Sequence, residues 1–121
     1  MSGYRDLEIY RKAYGLAIKV HPESLKLPQF ELYEQGSQVR RSSKSIKDNI
    51  VEGYGRRRYK AEYIKFLTYS LASCDESINH LLTIIDLYPD SKVFMDFLPE
   101  YEKLGKMINN YIQYVESHWN S

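Results

Sequence analysis

Residues 31–53 read ELYEQGSQVRRSSKSIKDNIVEG, and this stretch has the most regular helical spacing in the chain. Apolar or small residues recur there in alternating steps of four and three, at Leu32, Gly36, Val39, Ser43, Ile46, Ile50 and Gly53. Such spacing is typical of the buried seam of a helix packed in a bundle. Several seam positions are small, so a neighbouring helix can approach closely. We expect this helix to end at Gly53, with that glycine in the left-handed conformation.

Three other segments also have helical spacing, and with the first they predict helices over roughly 6–25, 31–53, 59–88 and 91–119. Pro22 and Pro28 bracket the first connection, and Pro99 predicts a kink or a split in the last segment. No run of alternating residues indicates a strand. Helices of this length would extend roughly 30–40 Å and would be joined by short connections. The sequence therefore predicts a single all-α domain over 1–121, an antiparallel up-down four-helix bundle.

The amino-acid composition is that of a globular protein and not of a membrane or disulfide-rich protein. The chain has 121 residues, of which 43% are hydrophobic and 27% charged, values typical of a globular domain with a genuine core. Charges are scattered through the first eleven residues, which does not fit a signal peptide, and no run approaches the length of a membrane span. A single cysteine, Cys74, cannot form an internal disulfide and fits a reducing compartment. We expect a soluble, cytoplasmic protein without a membrane partner.

Charge is unevenly distributed along the chain. Residues 37–65 hold nine Lys or Arg against three acids, a net charge of +6. Residues 66–121 hold three bases against eight acids, and residues 1–36 are balanced. The whole-chain charge of +1 hides this separation, which is of the kind that attracts a polyanion.

The basic segment combines a helix face with a turn. On the helix, Arg40, Lys44 and Lys47 form one stripe. The turn carries three consecutive arginines at the start of the third helix, where free backbone N–H groups favour anions. The predicted nucleic-acid contacts are Arg40, Arg41, Lys44, Lys47, Arg56, Arg57, Arg58 and Lys60, with Tyr54 and Tyr59 as stacking candidates.

Other interpretations of the basic segment stay open. The turn can be a solvated loop whose guanidinium groups meet acids such as Glu62 or those of an adjoining subunit. A charged stripe is often the solvated face of a helix. Most of the twelve tyrosines are expected to serve packing and interfaces.

Polar residues beside the seams of the second and third helices predict a structural hydrogen-bonded layer of Ser45, Asn49, Glu52, Ser73 and Glu76. A catalytic carboxylate pair would require Glu52 and Glu76 to face each other. Glu76 and His80 are four residues apart, with no second copy of such a pair, so a metal site is not predicted. We expect no cofactor, no catalytic residue and no enzymatic activity.

The second helix carries a recognisable motif. Its residues Gln38-Val39-Arg40-Arg41, Ser45-Ile46, Asn49-Ile50, Glu52-Gly53 and Gly55-Arg56 resemble the four-helix-bundle proteins encoded in intervening sequences of bacterial 23S ribosomal RNA genes. Tyr4-Arg5-Asp6-Leu7, Phe66-Leu67, Ser73 and Glu76 resemble the same family. Ser42 and Ala72 depart from it, but both remain small.

The resemblance implies a compact bacterial bundle whose relatives assemble as homopentamers. It also implies a connection to RNA or DNA, because related accessory proteins of diversity-generating retroelements are basic pentamers that bind nucleic acid. It assigns no activity.

Overall fold

The computed structural model describes residues 3–120, and helices make up most of that range. In chain order they are α1 (Glu8–Leu25), α2 (Gln35–Gly55), α3 (Lys60–Leu87) and α4 (Lys92–His118). Short 3-10 turns, Tyr4–Asp6 and Gln29–Tyr33, precede α1 and α2. The described residues contain no strand, and none of their helices is both long and apolar enough to cross a membrane.

Helices that are adjacent in sequence pack together, and α1 also packs on α4 to close the bundle. Successive helices run in opposite directions. Ser42 of α2 bonds Ser77 of α3, whereas Ile46, later in α2, accepts a bond from Ser70, earlier in α3. The predicted antiparallel up-down four-helix bundle is confirmed. One end of it, which we call the turn end, holds the α2–α3 connection, the start of α1 and the end of α4.

Apolar side chains from all four helices fill the centre of the bundle. The fully covered ones include Val20, Val39, Ile46, Ile50, Leu67, Leu81, Ile84, Leu104 and Ile108. Burying each such side chain stabilises the fold by about 1.5–3 kcal/mol. Six of the seven predicted seam residues of α2 are buried, and the seventh, Leu32, is half-buried in the turn before the helix.

Serines occupy much of the contact between α2 and α3. These two helices hold five buried serines, and each makes a hydrogen bond: Ser42, Ser43, Ser70, Ser73 and Ser77. The Ser70 hydroxyl donates to the Ile46 carbonyl over 2.7 Å. Serine side chains are short, and each of these hydroxyl groups has a hydrogen-bond partner. The two helices can therefore lie close together without an unpaired buried polar group.

Two expectations about helix ends were wrong. The second helix begins at Gln35 and continues to Gly55, and no glycine among residues 3–120 has a positive φ, so Gly53 is not a left-handed cap. Gly53 instead lies where a Cβ atom would come within 3.1 Å of the Phe66 Cβ on α3. Its lack of a side chain serves the close packing of the two helices.

The prolines do not interrupt the helices. Pro22 lies inside α1 and Pro99 lies inside α4, so the expected split near Pro99 is wrong. A proline leaves the carbonyl four residues earlier without its helical donor. Those carbonyls belong to Ile18 and Met95, whose residues are exposed, so water can satisfy them.

Candidate nucleic-acid interface

The α2–α3 connection is built by backbone bonds. The Arg56 N–H donates to the Gly53 carbonyl, the Arg57 N–H to the Tyr54 carbonyl, and the Tyr59 N–H to the Arg56 carbonyl. Tyr59 precedes α3, and no side chain caps that helix start. The connection therefore projects three consecutive exposed arginines, Arg56–Arg58, from the turn end; we call them the basic turn.

Arg56 has a structural role within the basic turn. Its guanidinium group donates to Glu52 over 2.8 Å and to Glu62 over 3.0 Å, and it lies 4.7 Å from the centre of the Phe66 ring. The hydrogen bond to Glu52 is the main reason that the pKa of Arg56 is raised. For this one arginine, the expected pairing with acids such as Glu62 is confirmed.

Arg57 and Arg58 have no carboxylate partner within 4.0 Å among residues 3–120. Arg57 donates one bond to the Tyr54 carbonyl over 2.9 Å and lies 4.0 Å from the centre of the Tyr54 ring. Arg58 lies 5.8 Å from the centre of the Tyr59 ring. Their positive charges thus remain uncompensated at the surface.

The end of α4 supports the basic turn. The Trp119 indole N–H donates to the Arg57 carbonyl over 2.7 Å, and the Lys60 ammonium donates to the Glu116 carbonyl over 2.6 Å. The Lys60 contact is favourable because the last carbonyls of a helix carry partial negative charge. Sequence reasoning missed Trp119, since nothing in the local pattern places residue 119 beside residue 57.

The cations of α2 divide into those with partners inside the protein and those exposed without an ion pair. Arg40 is half-buried and donates to the Ser24 hydroxyl and the Leu32 carbonyl, so it ties α2 to α1 and to the preceding turn. Lys47 pairs with Asp48 over 2.8 Å. Arg41 and Lys44 are exposed and have no ion pair with residues 3–120.

Two surface hollows border these cations. The first, the α2–α3 groove, has a volume of about 620 Å³ and is lined by Arg41, Lys44, Ser45, Asp48, Asn49, Glu52, Arg56 and Phe66. The second, the Trp119 hollow, has a volume of about 580 Å³ and is lined by Gly55, Arg57, Arg58, Trp119 and Asn120. Two carboxylate side chains line the first hollow, whereas the described part of the chain contributes none to the second.

The predicted stacking tyrosines differ in exposure. Tyr54 is half-buried, packs edge-on against Tyr63 and is covered by Arg57. Tyr59 is 60% exposed beside Arg58. Of the two, Tyr59 is the one whose ring is available to a ligand.

The predicted polar layer forms in part. Ser45 and Ser73 are joined over 2.9 Å, and the Asn49 amide donates to the carbonyl and hydroxyl of Ser45. Glu52 instead pairs with Arg56 at the surface. Glu76 is exposed and makes no side-chain hydrogen bond or ion pair within the described range. The layer therefore consists of a serine-asparagine cluster, and its two predicted glutamates lie outside it.

No group of three or more His, Cys, Asp or Glu side chains among residues 3–120 is placed to hold a metal ion. Cys74 is buried in the core, and burial raises the pKa of its thiol to about 12. The thiol donates to the Tyr101 carbonyl, so Cys74 serves the packing of α3 against α4.

The topology and the cationic turn end define an up-down four-helix bundle with an asymmetric basic surface. The chain belongs to the family described as 23S rRNA-intervening sequence protein, whose model matches residues 5–110. A solved structure with the same fold is that of a protein of unknown function from the S23 ribosomal protein family of Bacteroides thetaiotaomicron VPI-5482. The TM-score is 0.77 at 19% identity, over 87% of this chain and 95% of that one. The search of curated proteins found no match.

Proposed function

We propose that this protein is a non-enzymatic bundle that binds the phosphates of RNA or DNA through its basic turn and the exposed cations of α2. The observation that carries the proposal is the pairing pattern within the basic turn. Arg56 is neutralised by two glutamates, whereas Arg57 and Arg58 have no carboxylate within 4.0 Å among the described residues. Uncompensated guanidinium groups at a surface are suited to phosphate.

The exposed cations of α2 extend this surface. Arg41 and Lys44 lie on the helix that leads into the basic turn, about 20 Å from it along the helix axis at 1.5 Å per residue. A phosphate backbone can follow such a line of cations, and its binding would depend strongly on salt. Arg40, Lys47, Arg56 and Lys60 take part mainly through the internal contacts that position their neighbours.

The test measures the binding of a short fluorescein-labelled RNA by anisotropy at about 50 and about 200 mM salt. The variant Arg57→Gln/Arg58→Gln is expected to weaken binding and to reduce the slope of log K against log salt by about 2. The matched control, Lys103→Gln/Lys106→Gln, removes the same charge from exposed positions of α4. If both double variants bind alike, or if the native protein does not bind at low salt, the proposal is wrong.

A second candidate function, that of a homo-oligomeric interaction scaffold, is favoured by an exposed apolar stripe on α1. Tyr14, Ile18 and Leu25 are 46%, 55% and 47% exposed and lie on one face of the helix. Such a stripe fits a subunit contact, and the family resemblance favours a pentamer. Light scattering after size exclusion tests it, and Ile18→Glu is expected to dissociate the assembly.

The same experiment separates the roles of the basic turn. If Arg57→Gln/Arg58→Gln dissociates the oligomer and RNA leaves the native protein unchanged, the turn serves assembly. If the double variant stays assembled and loses RNA, the turn serves nucleic-acid binding.

A further inference from the structure

The Trp119 hollow combines the three features that a nucleotide requires. Arg57 and Arg58 supply positive charge, the partly exposed indole of Trp119 supplies an aromatic surface, and Asn120 supplies an amide. Its volume of about 580 Å³ lies within the usual range for small-molecule sites. None of the lining residues within 3–120 carries a negative charge.

The hollow is held in shape by contacts between distant parts of the chain. The Trp119 indole donates to the Arg57 carbonyl over 2.7 Å, and its ring packs edge-on against Tyr63 at 5.2 Å between centres. The Arg57 guanidinium is oriented by the Tyr54 carbonyl and ring. The indole and one arginine are therefore fixed relative to each other before any ligand arrives, which lowers the entropic cost of binding.

Gly55 forms an open side of the hollow. A Cβ atom added there would have no other atom within 4 Å, and the residue does not have a positive φ. A ligand can therefore approach the backbone at this point, and a larger side chain can be introduced without strain.

We propose that the Trp119 hollow binds one unpaired nucleotide, with its base against the Trp119 indole and its phosphate on Arg57 and Arg58. This inference rests on the proposed function and refines it by assigning the ligand class of one subsite. The α2–α3 groove does not fit the same role, because its aromatic ring, Phe66, is covered by Arg56, and that arginine is already paired with Glu52. Stacking on an aromatic ring accepts any base, so the subsite discriminates unpaired from paired nucleotides and not one sequence from another.

Trp119 is the only tryptophan in the chain, so its fluorescence reports this hollow directly. The test titrates the native protein with uridine 5′-monophosphate, with uridine and with ribose 5-phosphate. We expect saturable quenching by the nucleotide, weaker quenching by uridine, and no quenching by ribose 5-phosphate, which lacks the base. Absence of quenching by the nucleotide and by a single-stranded RNA would overturn the inference.

Two variants separate a shaped site from a general charge effect. Gly55→Leu keeps every charge and fills the hollow, and it is expected to abolish quenching; Gly55→Ala is its smaller control. Lys103→Gln/Lys106→Gln removes two exposed charges of α4 outside the hollow and is expected to leave nucleotide quenching unchanged. Equal quenching in Gly55→Leu and the native protein would contradict the inference.

The binding of labelled RNA, measured in parallel, distinguishes this inference from the proposed function. Loss of the stack in Trp119→Ala is expected to weaken the binding of single-stranded RNA roughly fivefold or more, with a smaller effect on a blunt duplex. RNA binding without a change in Trp119 fluorescence would reject the subsite and retain phosphate binding. Quenching by the mononucleotide without RNA binding would retain the subsite and reject the proposed function.

Discussion

The hydroxyl oxygens of Tyr101 in α4 and Ser43 in α2 lie 2.5 Å apart and join two helices that face each other across the diagonal of the bundle. Both residues are completely buried. Burial is also the main reason that the pKa of the Tyr101 phenol is raised. This bond fixes the register of α4 against α2, and α2 leads directly into the basic turn.

Removal of the Tyr101 hydroxyl is expected to destabilise the protein. Tyr101→Phe leaves the buried Ser43 hydroxyl without this partner, a loss of about 1–3 kcal/mol. Urea denaturation followed by far-UV circular dichroism measures it. The control, Tyr114→Phe, alters an exposed residue and is expected to stay within about 0.5 kcal/mol of the native protein. Ser43→Ala combined with Tyr101→Phe is expected to lose less stability than the sum of the two single variants. If the losses of the single variants simply add in the double variant, the two hydroxyls do not interact.

Two helical glycines are expected to respond in opposite ways to alanine. A Cβ atom at Gly36 would lie 2.6 Å from the Glu31 carbonyl oxygen, so Gly36→Ala must shift the backbone and destabilise the fold. A Cβ atom at Gly15 inside α1 would meet nothing within 4 Å. Gly15→Ala should therefore stabilise the protein by about 0.5–1 kcal/mol through helix propensity. Thermal denaturation of both variants tests this, and a stabilised Gly36→Ala would disprove the close contact.

The protonation of the His21 imidazole is expected to depend on the positive charges of α2. Its pKa is lowered by desolvation and by the positive charges of Lys44 and Arg40. Because this pKa is lower in the folded state than in the unfolded chain, the unfolded chain binds the proton more readily. The free energy of unfolding is therefore unaffected by His21 above a pH of about 6.5 and decreases as the pH falls below that value. Lys44→Gln should raise the pKa of His21 in an NMR titration, and Lys106→Gln should not.

The same coupling gives a test of ligand binding. A polyanion that neutralises Lys44 is expected to raise the pKa of His21, so binding should be accompanied by proton uptake near pH 6.5. A pKa of His21 that stays constant on addition of RNA would show that the ligand does not reach this part of α2.

Cys74 is expected to be unreactive in the native protein. Burial raises the pKa of its thiol to about 12, so very little thiolate is present near neutral pH. A chromogenic disulfide reagent should react only as fast as the bundle opens, and should react promptly in denaturant. Rapid labelling in native buffer would contradict the buried position.

The helical regions and the buried face of α2 could be predicted because they depend on local periodicity. Val39, Ile46 and Ile50 are spaced as a helix seam requires, and all three are completely buried. The sequence predicts a helix cap at Gly53, because it shows that a glycine permits an unusual backbone conformation and does not show which helix approaches that glycine. Its actual neighbour, Phe66, belongs to another helix.

The candidate site depended more on long-range contacts and was less predictable. Arg40 lies on the same face of α2 as Lys44, and the sequence pattern does not distinguish them. In the structure the turn before α2 folds back, and its Leu32 carbonyl accepts a hydrogen bond from the Arg40 guanidinium. Trp119 reaches the basic turn across 62 positions of sequence. Helical periodicity carries no information about a contact between such distant residues, so the sequence alone does not predict the pairing of Trp119 with Arg57.

The placement of the first and last described segments has a practical consequence for the design of experiments. The segment from Tyr4 and the last residues of α4 both lie at the turn end, and Asn120 lines the Trp119 hollow itself. An affinity tag joined close to either segment would lie near the proposed ligand and can mimic a loss of binding. Asp90, exposed between α3 and α4, lies about 40 Å away at the opposite end of the bundle, judged from the length of α3. A fluorophore or surface tether attached at that position would leave the basic turn unobstructed.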